Sequence, residues 1–203
     1  MSLHTWVTFA VVAFAISLFP GPAVIAVVST ALRGGFRRSL AASAGVLVGD
    51  TVFVAAAALG LGALLVASHT VFLAVRWLGI AYLAYLGIRA LLDRGTAFSL
   101  EADDGADRRA FRFGLTTQLA NPKVVLFFSA LLPQFIDPAR PVAPQFVLLG
   151  ATFVMCDVFV FAGYGTLAHR ARNLLRSKRA SRITSRVTGV AMLGAAARLA
   201  AER

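Results

Sequence analysis

TWVTFAVVAFAISLFPGPAVIAVVSTAL, Thr5 to Leu32, runs for 28 residues without a charge. About 20 mostly apolar residues suffice to cross the hydrocarbon core of a bilayer. The run is too long for the core of a secretory signal, and no basic residue precedes it. It therefore reads as a retained membrane span. Pro20-Gly21-Pro22 interrupts it near its middle, and a proline inside a helix removes an amide donor and clashes with the carbonyl four residues earlier. The stretch predicts a spanning helix that is broken at depth.

Working outward, the same reading recurs five times. Ser39 to Ser68 is interrupted only by Asp50, and Val71 to Leu92 carries Arg76 and Arg89 toward its ends. Phe113 to Ile136 is interrupted only by Lys123, and Val142 to His169 only by Asp157. Ile183 to Leu199 is the shortest, rich in alanine, and carries Arg198. The composition agrees: 59% of the 203 residues are hydrophobic, 14% are charged, and mean hydropathy is +0.78, against roughly 45–50% and about 25% in soluble domains. The expected fold is an all-α membrane protein of six transmembrane helices, forming one domain over 1–203. Disorder is excluded by the apolar content.

A net charge of +11 suggests a nucleic-acid binder until the charges are placed. Connection 33–38 carries Arg33, Arg37 and Arg38, and connection 93–112 carries Arg94, Arg108, Arg109 and Arg112. Segment 170–186 carries Arg170, Arg172, Arg176, Lys178, Arg179, Arg182 and Arg186. These alternate connections hold 14 of the 20 basic residues, whereas the opposite set has only Arg140. The positive-inside rule places the rich set in the cytoplasm, against anionic lipid. With six spans, both termini then lie outside. The charge records orientation, and nucleic acid is not an expected partner.

The two halves of the chain, about 1–92 and 113–203, resemble each other across the mixed-charge linker 93–112. The first span of one contains Pro20-Gly21-Pro22 and that of the other Asn121-Pro122; the second spans carry Asp50 and Asp157. Three spans per half make the copies inverted, and paired broken segments in inverted repeats point to a transporter binding site. The prolines free the carbonyls of Ile16, Leu18 and Gln118, which at membrane depth need partners such as an ammonium or a cation. The helix restarting at Pro22 offers amide donors to an anion. Asp50 and Asp157 fall near the midplane, where a charge costs at least ~2.5 kcal/mol, so each must face a cavity, find a partner or stay protonated. That suits a proton carrier; the plainer alternative is a structural ion pair of one aspartate with Lys123. Lys123, with Asn121 and with Gln118 one turn earlier, is a candidate anchor for a carboxylate. Gly45 and Gly49 read as close helix packing before Asp50.

These motifs are similar to those of the LysE/RhtB family of amino-acid exporters. The resemblance rests on Phe19-Pro20-Gly21-Pro22, Arg33-Gly34-Gly35-Phe36-Arg37, Gly45-Val46-Leu47-Val48-Gly49-Asp50 and the run Leu78 to Gly87. It continues through Phe113-Gly114, Asn121-Pro122-Lys123, Leu126-Phe127-Phe128 and Pro133-Gln134-Phe135. In the last span only Gly189 and Gly194 match. The resemblance implies a six-helix inner-membrane exporter of amino acids, typically proton-coupled, with the family pattern falling on Pro20, Gly21, Pro22, Asp50, Asn121, Pro122 and Lys123. Lysine, threonine, homoserine and leucine are all open as cargo.

The expected function is a secondary exporter with alternating access. Its small zwitterionic cargo would place its carboxylate at Lys123, Asn121 or the helix start after Pro22. The ammonium would sit at Asp50 or the freed carbonyls, with protons on Asp50 and Asp157 releasing it. The rival readings are an assembly subunit of a membrane complex, a passive small-solute channel, and a membrane-embedded enzyme. No nucleophile elbow or phosphate-binding glycine loop favours the enzyme. His4, His69 and His169 form no metal-spaced pair, and Cys156 is the single cysteine. No cofactor is expected.

Overall fold

A computed structural model describes residues 1–59 and 105–174, with isolated helical positions within 77–92 and 186–201. The third and sixth predicted spans are seen only at those positions, and connections 93–104 and 175–185 lie outside the described residues. Every element among the described residues is helical. Six principal helices follow one another: α1 Leu3–Leu18, α2 Pro22–Gly34, α3 Phe36–Ala58, α4 Ala106–Leu119, α5 Pro122–Phe135 and α6 Val142–Leu174. Helices α3 and α6 are each long and apolar enough to cross a membrane, and the bent pairs α1–α2 and α4–α5 each qualify as one broken span.

The breaks follow from local chemistry. A residue before proline is pushed out of the helical region. Phe19, before Pro20, has φ −69° and ψ 123°, and Asn121, before Pro122, has φ −83° and ψ 105°. Pro22 and Pro122 then open the next helix at its first position, where a missing amide hydrogen costs nothing. The resulting bends are 53° between α1 and α2 and 48° between α4 and α5. Thr5 to Leu32 is thus broken at Pro20-Gly21-Pro22 as its prolines predict, into two helices that meet at a bend. Within α5 the coil changes pitch: α-helical over Pro122–Leu126, a π-turn over Phe127–Leu131 and 3₁₀ over Leu132–Phe135.

Connection 33–38 is not a loop. α2 runs to Gly34 and α3 begins at Phe36, with Gly35 alone between them at φ +82°, a conformation costly for any residue with a Cβ. Likewise Arg108, Arg109 and Arg112 belong to α4, which starts at Ala106 rather than beyond 112. The basic residues nevertheless gather at one end. Arg37 pairs with Asp107 at 3.4 Å, the Phe36 ring meets His169, and a Cβ on Gly35 would stand 2.9 Å from the guanidinium of Arg172.

Residue pairings fix the helix directions. Trp6 Nε1 donates to Thr152 Oγ1, and Tyr164 Oη donates to the Leu18 carbonyl, so α1 and α6 run parallel. Gly165 faces Ser39 while Gly150 faces Val54, so α3 and α6 are antiparallel. Gly114 abuts Ala42 and Gln118 abuts Gly49, so α3 and α4 are parallel. The broken pair α1–α2 therefore runs toward the basic end and α4–α5 away from it, and α3 and α6 each reverse their predecessor.

Two apolar cores form. One joins Phe9, Phe127, Phe128, Leu132 and Phe153 away from the basic end, with Phe127 and Phe153 centroids 4.6 Å apart. The other joins Val24, Val27, Val46, Val160 and Phe161 toward it. A third contact, Ile80 against Ala196, brings the third and sixth segments together. Large apolar side chains also face outward, as Leu3, Val7, Val11, Phe14 and Leu18 do every three or four residues along α1. Such a stripe suits a lipid solvent.

Candidate functional site

Between the two cores lies one polar layer, built where the breaks cross α3 and α6. Asp50, Gln118, Asn121 and Thr117 are wholly or almost wholly buried, and Asp157 and Ser17 nearly so. Buried polar groups in an apolar medium are costly unless paired, and most of these are. Gln118 Nε2 donates to Asp50 Oδ1, and Asn121 Nδ2 donates to Gln118 Oε1 at 3.0 Å. Asn121 Oδ1 accepts the backbone amide of Lys123 at 3.2 Å and so caps α5. One chain of hydrogen bonds thus ties α3, α4 and the second break.

Glycines permit this closeness. A Cβ on Gly45 would stand 2.0 Å from the Phe111 carbonyl oxygen, and one on Gly114 would stand 2.0 Å from that of Ala42. At Gly49 it would meet the Gln118 side chain at 2.9 Å. The expected packing role of Gly45 and Gly49 is met, with Gly114 as their counterpart on α4. Backbones in contact are what allow Gln118 to reach Asp50.

Lys123 leaves the start of α5 and crosses to the first break. Its Nζ donates to the carbonyls of Ile16 at 3.0 Å and Phe19 at 3.2 Å. Gly21 lies beside it, a Cβ there standing 3.7 Å from Nζ. Among the described residues, neither Asp50 nor Asp157 forms an ion pair with Lys123, although both lie within its electrostatic reach. The carbonyls expected to be free are filled differently from the sequence reading. Ile16 takes Lys123, Leu18 takes the Tyr164 hydroxyl at 3.0 Å, and Gln118 takes the Asn121 amide at 2.9 Å. Phe19 supplies a carbonyl that the proline rule does not name.

Asp157 stands midway along α6, within reach of Asp50, Ser17 and Lys123. Asp50 Oδ2, Ser17 Oγ and Thr117 Oγ1 are buried without a hydrogen-bond partner among the described residues. The layer thus gathers Gly21, Asp50, Gln118, Asn121, Lys123 and Asp157, with Pro20, Pro22 and Pro122 shaping its two breaks. Ser17, Thr117 and Tyr164 belong to it and escaped the sequence reading. Tyr164 carries one usable signal, lying two turns beyond Asp157 on the same face of α6. Among the described residues no group of three or more His, Cys, Asp or Glu side chains could hold a metal.

A family model described as LysE type translocator matches residues 14–203. The chain belongs to the LysE family. It is a multi-pass membrane transport protein and not an enzyme. It is 36% identical to an uncharacterized membrane protein of Vibrio cholerae over 178 residues, 87% of each chain. It is 31% identical to the homoserine/homoserine lactone efflux protein of Salmonella typhimurium, covering 100% of this chain and 99% of that one. It is also 31% identical to the leucine efflux protein of an Enterobacter species, covering 98% and 95%. No solved structure matches. Within this LysE chain, the polar layer lies buried between two apolar cores.

Proposed function

We propose that this LysE-family protein exports amino acids or close derivatives across the bacterial inner membrane, by proton antiport with alternating access. One observation carries the reading. Among the described residues, a buried layer of acidic and amide groups, with the half-buried Lys123 ammonium beside it, lies at the crossing of two broken helices whose parent segments run in opposite directions. The relatives named for homoserine and leucine efflux share nearly the whole chain, which supports an amino-acid cargo.

The architecture proposed is six spans in two inverted three-helix repeats, about 1–92 and 113–203, with the basic end in the cytoplasm. The opposed directions of α1–α2 and α4–α5, and of α3 and α6, support it. So does the contact of Ile80 with Ala196, which pairs the third segment of each half. Pro20, Gly21, Pro22, Gln118, Asn121, Pro122 and Lys123 form the substrate site. The cargo's carboxylate is met there by Lys123, Asn121 or the start of α2, which has no side-chain cap. Asp50 and Asp157 are the proton-coupling pair. Protons from outside neutralise Asp50 and release the cargo; the empty site returns and gives the protons up inside. The aromatic core around Phe127 and Phe153 closes the outer path, and the Val24–Val46–Phe161 core closes the inner one. Each charge moved inward through the potential supplies about 2.3 kcal/mol per 100 mV, before any pH gradient.

The reading is tested in proteoliposomes loaded with labelled homoserine or leucine. Export is expected to accelerate as the pH on the receiving side falls below that on the loading side. Asp50→Asn should abolish that acceleration and uphill export while leaving the protein folded. An Asp50→Asn variant that responds to the gradient like the wild type removes Asp50 from the coupling.

A further inference from the structure

The contacts of Lys123 bear on how the cargo enters. A lysine of the second half spends its ammonium on two backbone carbonyls of the first half, Ile16 and Phe19, rather than on either acid of the layer. The Ile16 carbonyl also accepts the Phe19 amide at 3.2 Å, in the shared bond that ends α1, and carbonyls at a helix end in a low-dielectric setting keep a lone pair that favours a cation. An alkylammonium presents three N–H donors, and the pair of carbonyls takes two of them. The amino group of a zwitterion has the same charge and the same donors.

We propose that the carbonyls of Ile16 and Phe19 form an alkylammonium subsite, held in the structure by Lys123 and yielded to the amino group of the cargo. This deepens the exporter reading above and rests on it only for the identity of the incoming amine. The exchange conserves charge within the layer. An incoming ammonium replaces an outgoing one at the carbonyls, and the displaced Lys123 pairs with the carboxylate that arrives in the same molecule. No unpaired charge is left at depth, which is the condition that makes a buried cation tolerable. Position also fits. Lys123 is only half-buried and Phe19 is exposed, whereas Asp50, Gln118 and Asn121 are sealed. Lys123 also bridges the two halves, so releasing it removes a polar link between the broken helices while the packing of Phe9 on Phe127 and Phe135 remains.

The test replaces the tether by a free ligand. Lys123→Ala keeps Cβ and removes the atoms that n-propylammonium contains; n-propanol has the same chain without the charge. The full-length variant is purified in nanodiscs, and unfolding midpoint and export are measured with each probe. Propylammonium should raise the midpoint of Lys123→Ala and restore part of its export, and leave the wild type unmoved. It should bind at least about ten-fold more tightly than propanol, the margin expected of charge-assisted over neutral hydrogen bonds. Equal effects of the two probes would reduce Lys123 to packing and overturn the proposal. So would a variant that neither probe stabilises, including one that folds in the presence of neither. The subsite and the exporter reading fail separately. A variant rescued by propylammonium, beside a wild type that exports no amino acid, sinks the exporter reading alone. A wild type that exports, beside a variant indifferent to propylammonium, sinks the subsite alone.

Discussion

Gln118 is the residue on which the buried layer turns. It donates to Asp50 and accepts from Asn121, so one amide satisfies an acid on α3 and the cap of α5. Gln118→Leu keeps the bulk and strands both partners, and each stranded buried group costs about 1–3 kcal/mol. The variant should unfold at a markedly lower temperature in nanodiscs and lose export. Gln118→Glu, which places a third acid in the layer, should fare no better at neutral pH but recover partly on acidification. Some of this layer was legible in the sequence. A charge inside an apolar run is rare enough that Asp50, Lys123 and Asp157 announce themselves, and Gln118 lies one turn before Asn121. Ser17 and Thr117 were not legible, because hydroxyls in membrane helices usually bond back to their own carbonyls, as Thr30, Thr51 and Ser129 do here. The freed carbonyls show another limit of the linear pattern. Proline states which hydrogen bond is lost, but the partner that fills the vacancy comes from another helix, as Lys123 and Tyr164 do across more than a hundred residues.

The elements repeat one device: an extended residue before a proline, then a helix opened by proline. Its position was readable because the rule is local. Each half uses it differently, and that follows from the residue before the proline. Asn121 caps α5 with its own side chain, whereas Gly21 leaves the start of α2 without a side-chain cap. Losing an asparagine cap costs about 1 kcal/mol, and Asn121→Ala also breaks the link to Gln118. Asn121→Ala/Pro122→Ala together should let α4 continue into α5, misplacing Lys123. The double variant is expected to remain monodisperse in detergent yet export below detection, while Pro122→Ala alone retains the break through the cap. The α2–α3 turn was not readable as a turn, because three arginines within 33–38 look like a loop. Gly35 at φ +82° makes the reversal in one residue. Gly35→Ala should cost about 1–2 kcal/mol from the left-handed backbone alone, seen as a lower unfolding midpoint with export retained in the folded fraction.

At the scale of the whole molecule, charge and direction describe the same arrangement. The α2–α3 turn, the start of α4 and the end of α6 meet at one face, where Arg37 pairs with Asp107 and Arg172 lies beside Gly35. At the opposite face, the turn between α5 and α6 holds Asp137 and Arg140, paired at 3.3 Å. Its backbone is gathered by Gln145, which accepts from the amide of Asp137 and donates to the carbonyls of Asp137 and Pro141. The Met1 carbonyl lies near Arg140, which puts the start of the chain on that face too. An excess of arginine on one face fixes orientation during insertion, because short cytoplasmic connections retain basic residues. Alkaline phosphatase, which is active only outside the cytoplasm, reads this directly. Fused within 93–104 it should be inactive, and fused at Ala139 it should be active. Fused after Arg203, it separates six spans from five. Six spans return the end of the chain to the face of Met1 and Arg140, giving an active enzyme, whereas a sixth segment that fails to cross leaves it inactive. Replacing all fourteen basic residues of 33–38, 93–112 and 170–186 by neutral residues should divide the activity of all three fusions between the two orientations, since the charge bias is what selects one. The inverted repeat proposed above would make that outcome physically possible, because a molecule built of two opposed copies presents nearly the same apolar profile to the bilayer either way up.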